Sequence, residues 1–199
     1  RAMTTVLVGT TKGAFVIEGD GARTSWRLRG PFCDGWRINH VAGDAGTGAI
    51  WAAGGDEFTG AGVWRSGDAG QSWTLSKLAN GQLDDWLRND PDMARQFGRE
   101  ADPPAPFTGE VDALWSLKRA GRTLYAGGKP AQLYRSDDDG ETWTRNESLA
   151  AFPGRDAWSP GAAGLTLHTI VTAPEAPETA QPEAPNTSLP QLEDVEEAM

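Results

Sequence analysis

The sequence predicts an all-β protein, a β-propeller of four-stranded blades that is incomplete in this chain. Three observations carry that prediction. A strand, turn, strand, turn, strand unit recurs three times, and two of its copies close on the same hairpin signature. The composition, with 25 glycines and 9 tryptophans in 199 residues, is that of a chain built from short apolar runs and tight turns.

The first copy of the unit runs Val6-Leu7-Val8-Gly9, then Gly13-Ala14-Phe15-Val16-Ile17, and reaches Ser25-Trp26. The second runs Ile50-Trp51-Ala52-Ala53-Gly54-Gly55, then Gly62-Val63-Trp64-Arg65-Ser66, and ends at Ser72-Trp73. The third runs Leu124-Tyr125-Ala126-Gly127-Gly128, then Gln132-Leu133-Tyr134-Arg135-Ser136, and ends at Thr142-Trp143. The first run of each unit is apolar on both faces, as a strand sandwiched between neighbouring sheets must be. Innermost strands are expected ahead of units two and three, at 38–41 and 111–117, and a further one at 165–171 would open a fourth blade.

Two segments, Ser66-Gly67-Asp68-Ala69-Gly70-Gln71-Ser72-Trp73 and Ser136-Asp137-Asp138-Asp139-Gly140-Glu141-Thr142-Trp143, fit Ser-x-Asp-x-Gly-x-Ser/Thr-Trp. In such a hairpin the Asp accepts hydrogen bonds from amides just ahead of it and the Gly supplies a positive φ. The hydroxyls satisfy the remaining turn groups, and the Trp fills the gap between sheets. Ser66, Asp68, Gly70 and Trp73, with Ser136, Asp138, Gly140 and Trp143, are therefore read as structural. The run of three aspartates resembles a calcium loop only superficially, because no Glu follows at the distance an EF-hand requires.

This pattern resembles the Asp-box, or bacterial neuraminidase (BNR) repeat, propellers, a group that holds sialidases, some glucan hydrolases, sorting-receptor ectodomains and a photosystem II assembly factor. The resemblance covers 4–171, and it extends to bacterial sialidase-like repeat proteins through the opening Val6-Leu7-Val8-Gly9-Thr10-Thr11-Lys12-Gly13 and through Leu167-His168-Thr169-Ile170-Val171. It implies a parent ring of six or seven blades. It also implies that the box carboxylates lie away from the ligand face. Three blades and one strand do not close a ring, so the resemblance predicts either a piece of a longer propeller or self-association that completes one.

Candidate functional residues fall into two sets. Asp56 and Glu57, in the long loop of unit two, are weak candidates for a glycosidase acid pair, if a second carboxylate lies about 5 to 10 Å across a cleft. His40 and His168, the only histidines, sit early in candidate innermost strands and with Asp112 and Glu110 are expected to line a central channel as hydrogen-bonded residues without a ligand; the alternative is a site for a cation, a sugar or a small acid. Trp36-Arg37-Ile38-Asn39 is similar to the aromatic-Arg-Ile-Pro motif of sialidases, with Asn39 in place of Pro, which makes Arg37 a channel candidate. A sialidase also needs a tyrosine nucleophile. Tyr125 and Tyr134, the only tyrosines, occupy repeat positions that packing explains. The expectation is a binding or assembly module without catalysis in this chain, taking a carbohydrate or protein ligand. The alternative is a glycoside hydrolase whose active site is only partly present.

Two segments depart from the repeat. At 83–99 the strand rhythm gives way to Leu83, Trp86, Leu87 and Met93 among charges, which predicts short helical turns interrupted by Pro91. From 172 to 199, five prolines are interleaved with Ala and Glu, and the composition predicts disorder beyond a propeller domain spanning 1–171. Seven of the chain's acidic residues lie in that tail, which has no Lys or Arg, so the formal charge of −10 falls to −3 for the rest. An acidic chain without a basic stripe predicts no nucleic-acid or membrane partner. No metal or cofactor motif stands out. Cys33, the only cysteine, is expected to be buried and inert in a cytoplasmic protein, or in a secreted or periplasmic one if a leader has been removed.

Overall fold

The computed structural model describes residues 3–173. Eleven strands are arranged as three antiparallel meanders in which sheet neighbours are also sequence neighbours. Blade 1 contains β1 (Thr4–Thr10), β2 (Gly13–Gly19) and β3 (Trp26–Phe32). Blade 2 contains β4 (Ile38–Gly43), β5 (Ile50–Asp56), β6 (Gly60–Ser66) and β7 (Thr74–Ala79). After two helices, α1 (Gln82–Asn89) and α2 (Pro91–Phe97), blade 3 contains β8 (Ala113–Ala120), β9 (Thr123–Lys129), β10 (Leu133–Ser136) and β11 (Thr144–Arg145). β1 packs against β4, and β4 and β5 pack against β8, so the sheets stack face to face as successive blades of an incomplete β-propeller.

Each gap between blades holds its own core. Ala14, Cys33, Trp36, Ile38, Ala52 and Trp64 fill the gap between blades 1 and 2. Trp51, Ala53, Val63, Leu114, Leu117, Leu124 and Tyr134 fill the gap between blades 2 and 3. β5 explains why the repeat's first run is small and apolar on both sides. Successive residues point to opposite faces, and Ala52 serves one gap while Ala53 serves the other. Cys33 is buried, and burial pushes its thiol up to about 12.

The two signature hairpins join β6 to β7 and β10 to β11. Asp68 Oδ1 accepts the amides of Gln71 at 3.0 Å and Ser72 at 2.9 Å, and its Oδ2 accepts the Ser72 hydroxyl at 2.6 Å. Ser66 Oγ donates to Asp68 at 2.7 Å and accepts the Gly70 amide at 2.8 Å. Ser136, Asp138, Gly140 and Thr142 repeat this set, with distances between 2.6 and 2.9 Å. Two residues per hairpin are left-handed, Ala69 with Gly70 and Asp139 with Gly140. This turns the carbonyl of the first outward, where the preceding blade grips it. Arg29 Nη2 donates to the Ala69 carbonyl at 2.7 Å, and Trp51 Nε1 donates to the Asp139 carbonyl at 2.8 Å.

A third, divergent hairpin closes β2 onto β3 and is not evident from the signature. Asp20 Oδ1 accepts the Thr24 amide at 2.8 Å, and its Oδ2 accepts the hydroxyls of Thr24 at 2.8 Å and Ser25 at 2.9 Å. Here the loop is one residue longer and Arg23 takes the left-handed conformation. The tryptophan after each hairpin shows what the stacking does. Trp143 is 8% exposed and belongs to the gap between blades 2 and 3, and Trp73 stacks on Phe32 at 5.7 Å in the gap between blades 1 and 2. Trp26, with no sheet before it among the described residues, is 49% exposed.

Two expectations need correction. The third innermost strand starts at Ala113 and runs to Ala120, later than 111–117, because the chain first ties down through the Asp112 amide on the Lys129 carbonyl at 2.8 Å. Segment 165–171 forms no ladder, since a strand needs a partner and none lies beside it among the described residues. It docks instead through the Leu167 amide on the Gly128 carbonyl at 3.0 Å. Pro91 separates the two helices, as the sequence predicts. It opens α2 at its first position, with Asp90 capping the Asp92 and Met93 amides at 3.0 Å each. The tail expectation beyond residue 173 lies outside the described residues.

The hairpin carboxylates predict the acid behaviour. Hydrogen bonds from the Thr142 hydroxyl and amide hold the Asp138 carboxyl down to about 2, and those from Thr24 hold Asp20 down to about 2, against an ordinary 3.8. A depressed folded-state value stabilises fully above the unfolded value, and the gain is lost as pH falls through the folded one. Asp138→Asn is therefore expected to lower stability at neutral pH and to flatten the decline between about pH 4 and pH 2, read by urea unfolding against pH. Gly140 sits at φ +88°, and a methyl group on its Cα would meet the nearest side chains, Leu124 and Trp51, at an ordinary 3.4 Å, so Gly140→Ala isolates the backbone cost. The expected loss is about 1–2 kcal/mol in chemical denaturation.

Candidate functional site

The hairpin end of each blade is one end of β6 and β10, and the opposite end is where the sequence candidates meet. There the loop joining β5 to β6, the start of β4, the start of β8 and the last residue of β9 surround a cleft of about 360 Å³. It is lined by Arg37, Asn39, Asp56, Glu57, Phe58, Gln82, Asp112, Trp115 and Lys129.

Two β-bulges place the central residues. The β4–β5 ladder shifts register between Ile38 and His40, and the β8–β9 ladder shifts between Leu114 and Ser116. The extra residue in each case, Asn39 and Trp115, is released from the pleat and turned into the cleft. Asn39 also ties the blades together, its Nδ2 donating to the Leu114 carbonyl at 2.8 Å. That contact accounts for an amide at the position where the sialidase motif has Pro.

The β5–β6 loop is held from two sides. Asp56 Oδ1 accepts the Phe58 amide at 3.1 Å, the Thr59 amide at 2.8 Å and the Thr59 hydroxyl at 3.0 Å, so this carboxylate is a turn former. The first amides of α1, which a helix leaves without internal partners, are used by the same loop: Gln82 donates to the Glu57 carbonyl and Leu83 to the Phe58 carbonyl, both at 3.0 Å. Gly81 permits the approach, because a Cβ there would lie 2.3 Å from the Gly60 nitrogen. Phe58 meets Trp86 of α1 edge-on at 5.5 Å.

Behind this wall is a nearly buried ion cluster. Lys77 Nζ of β7 donates to Asp84 of α1 at 2.5 Å and to Asp102 at 2.7 Å, and it lies 5.7 Å from the Trp36 ring. Burial pushes the Asp84 carboxyl upward, but the bonds from Lys77, the Asp102 amide and the Gly81 amide hold it below the ordinary value. The helices are thus fastened to blade 2 by charge as well as by Leu87, their buried apolar residue.

The sequence candidates therefore separate. Arg37, Asp56, Glu57 and Asp112 line one cleft. The histidines do not join them. His40 is half-buried on β4 outside the cleft, with burial holding its imidazole below the ordinary 6.5, and His168 is exposed on the segment against blade 3. The β4 bulge turns Asn39 into the cleft and leaves His40 beside it. Glu110 is exposed and pairs with Arg145 at 2.6 Å. Tyr134 is buried in the core, where burial raises its phenol above the ordinary value. Trp115, Lys129, Phe58 and Gln82 were not singled out by sequence, and only the bulge and the inter-blade packing bring them in. A second depression at the hairpin end contains Arg65 and Arg119, whose partners Glu141 and Asp44 make it part of the inter-blade contacts.

No family model matches the sequence, and no curated protein matches it. Among solved structures the chain is similar to one described as YCF48 bound to D1 peptide, with 19% identity and a TM-score of 0.42. The match covers 72% of this chain and 38% of that one, so the chain spans well under half of the neighbour's length.

The cluster gives a stability test. Lys77 and Asp84 side chains are 10% and 2% exposed, so Asp84→Ala leaves a cation with its closest partner gone. The expected loss is about 3–5 kcal/mol in chemical denaturation. Lys77→Met with Asp84→Leu should cost less than the sum of the two single changes, because the double variant removes both buried charges and leaves only the Asp102 carboxylate, 31% exposed, without its cation.

Proposed function

We propose that this chain is an Asp-box propeller of the sialidase-like type that acts as a binding module, and that the cleft between blades 2 and 3 takes an extended polypeptide segment carrying both signs of charge. The observation that supports this most is the convergence, through two bulges and one docked loop, of an indole, two amides, two cations and three carboxylates on one open cleft. Arg37 and Lys129 suit acidic side chains, and Glu57 and Asp112 suit basic ones. Asn39 and Gln82 can pair with peptide groups, while Phe58 and Trp115 offer apolar surface. Mixed polar groups around aromatic anchors are the usual make-up of a recognition surface.

The presence of Asp112 in the same cleft as Glu57 favours one second reading, a glycoside hydrolase using those two carboxylates. Asp56 supports it less, since its carboxylate already closes the turn.

The test is a peptide array probed with the full chain, its hits titrated by calorimetry, alongside aryl glycosides and sialosides assayed for turnover. Saturable peptide binding without turnover is expected. Trp115→Ala should weaken it by about tenfold or more, as loss of a central aromatic anchor does, and Arg37→Ala should weaken hits with acidic side chains. Arg95→Ala, on the exposed face of α2, should leave affinity unchanged. Turnover abolished by Glu57→Gln or Asp112→Asn would replace the binding reading with the hydrolase one.

A further inference from the structure

Blades 2 and 3 each have a strand on the axial side of their glycine-rich strand, β4 beside β5 and β8 beside β9. Among the described residues, none pairs with the corresponding edge of β1. That edge presents unpaired backbone donors and acceptors. Among the described residues, nothing covers the face of blade 1 that points away from blade 2. Val6, Val8, Phe15, Ile17, Trp26 and Leu28 share it by register, and Val6, Trp26 and Leu28 are exposed. The strand residues on that face are all uncharged.

The other end of the arc carries the complementary piece. Gly9 and Gly127 are equivalent positions, opposite Ala14 and Leu133 in their sheets. A Cβ on Gly9 would lie 2.7 Å from the Ile38 carbonyl oxygen, and one on Gly127 would lie 2.4 Å from the Leu167 carbonyl oxygen. Segment 165–171 thus stands against blade 3 where β4 stands against blade 1, and Ser116 Oγ fixes it by donating to Leu167 at 2.6 Å. Ile170 is half-buried and Val171 is 85% exposed, the alternation of an innermost strand. Tyr125 and Arg135 likewise stand on blade 3 where Trp51 and Arg65 on blade 2 hold the next hairpin.

We propose that two copies of this chain complete each other: segment 165–171 of one copy pairs antiparallel with the free edge of β1 of the other. Each hybrid sheet then has four strands, and two sets of three blades close a six-bladed ring about a two-fold axis. The segment does not serve its own β1, because blades 2 and 3 lie between them. The β4–β5 register, with Val41 opposite Ala52 and Gly43 opposite Ile50, places Ile170 opposite the partner's Val8 and Thr172 opposite the partner's Val6. The contact is head to tail, and a six-bladed ring, in which three blades make half a turn, closes after two copies, which separates it from open-ended association. It is independent of the ligand proposed for the cleft.

The test uses the full chain. Light scattering should give twice the 21.2 kDa chain mass, and Ile170→Pro, which removes a ladder donor outside the three blades, should return the chain mass with the sheet signal in circular dichroism retained. Val6→Cys and Thr172→Cys, made in separate chains and mixed under mild oxidation, should give a crosslinked pair that neither variant forms alone, with buried Cys33 not competing. A wild-type chain that stays monomeric at tens of micromolar, whether its edge is bare or filled by another protein, overturns the proposal. So does an assembly larger than two copies, or a two-copy species that shows no mixed crosslink.

Discussion

The fold depends on one interaction made twice: the carbonyl of a left-handed hairpin residue, turned outward from one blade, accepts a donor from the blade before it. Ala69 receives Arg29 and Asp139 receives Trp51. A left-handed conformation at a residue other than glycine is unfavourable, and it persists because the aspartate beneath saturates the turn's amides and hydroxyls. The local turn and the inter-blade contact therefore support each other. Loosening the aspartate frees the backbone that the neighbouring blade holds.

With the outer ends of the blades fixed in this way, the opposite ends are available for recognition. The innermost strands β4 and β8 spend one residue each on a bulge, and the side chains so released, Asn39 and Trp115, point into the space between blades. The helical excursion braces this wall from outside, with its first amides on the β5–β6 loop and its Asp84 on Lys77 of the sheet. Structure and recognition are thus divided between the two ends of the same strands.

How much of this was legible in the sequence follows from the range of the interactions. The Ser-x-Asp-x-Gly-x-Ser/Thr-Trp hairpins are local, with every bond within eight residues of sequence, so residue types at fixed spacing expressed them fully. The Asp20 hairpin obeys the same chemistry with one extra residue, and that insertion hid it. The two-sided apolar runs of β5 and β9 likewise reported burial between sheets before any coordinates. The helices at 82–97 are visible as a break in rhythm, and Pro91 marks the point where one helix ends and the next begins.

The candidate site was only half legible, because it is assembled across blades. Arg37, Glu57 and Asp112 could be named as unusual, but their meeting depends on how three loops converge over sheets that are distant in sequence. Whether Asn39 or His40 faces the cleft turns on a one-residue bulge, which reverses every alternation after it and leaves no mark in residue type. The sequence alone determined the blades, since each is a short-range meander closed by its own turn. Only the tertiary structure decided which side chains share a cleft and which edge stays unpaired, because both follow from contacts between blades, where the facing residue is chosen by register and stacking.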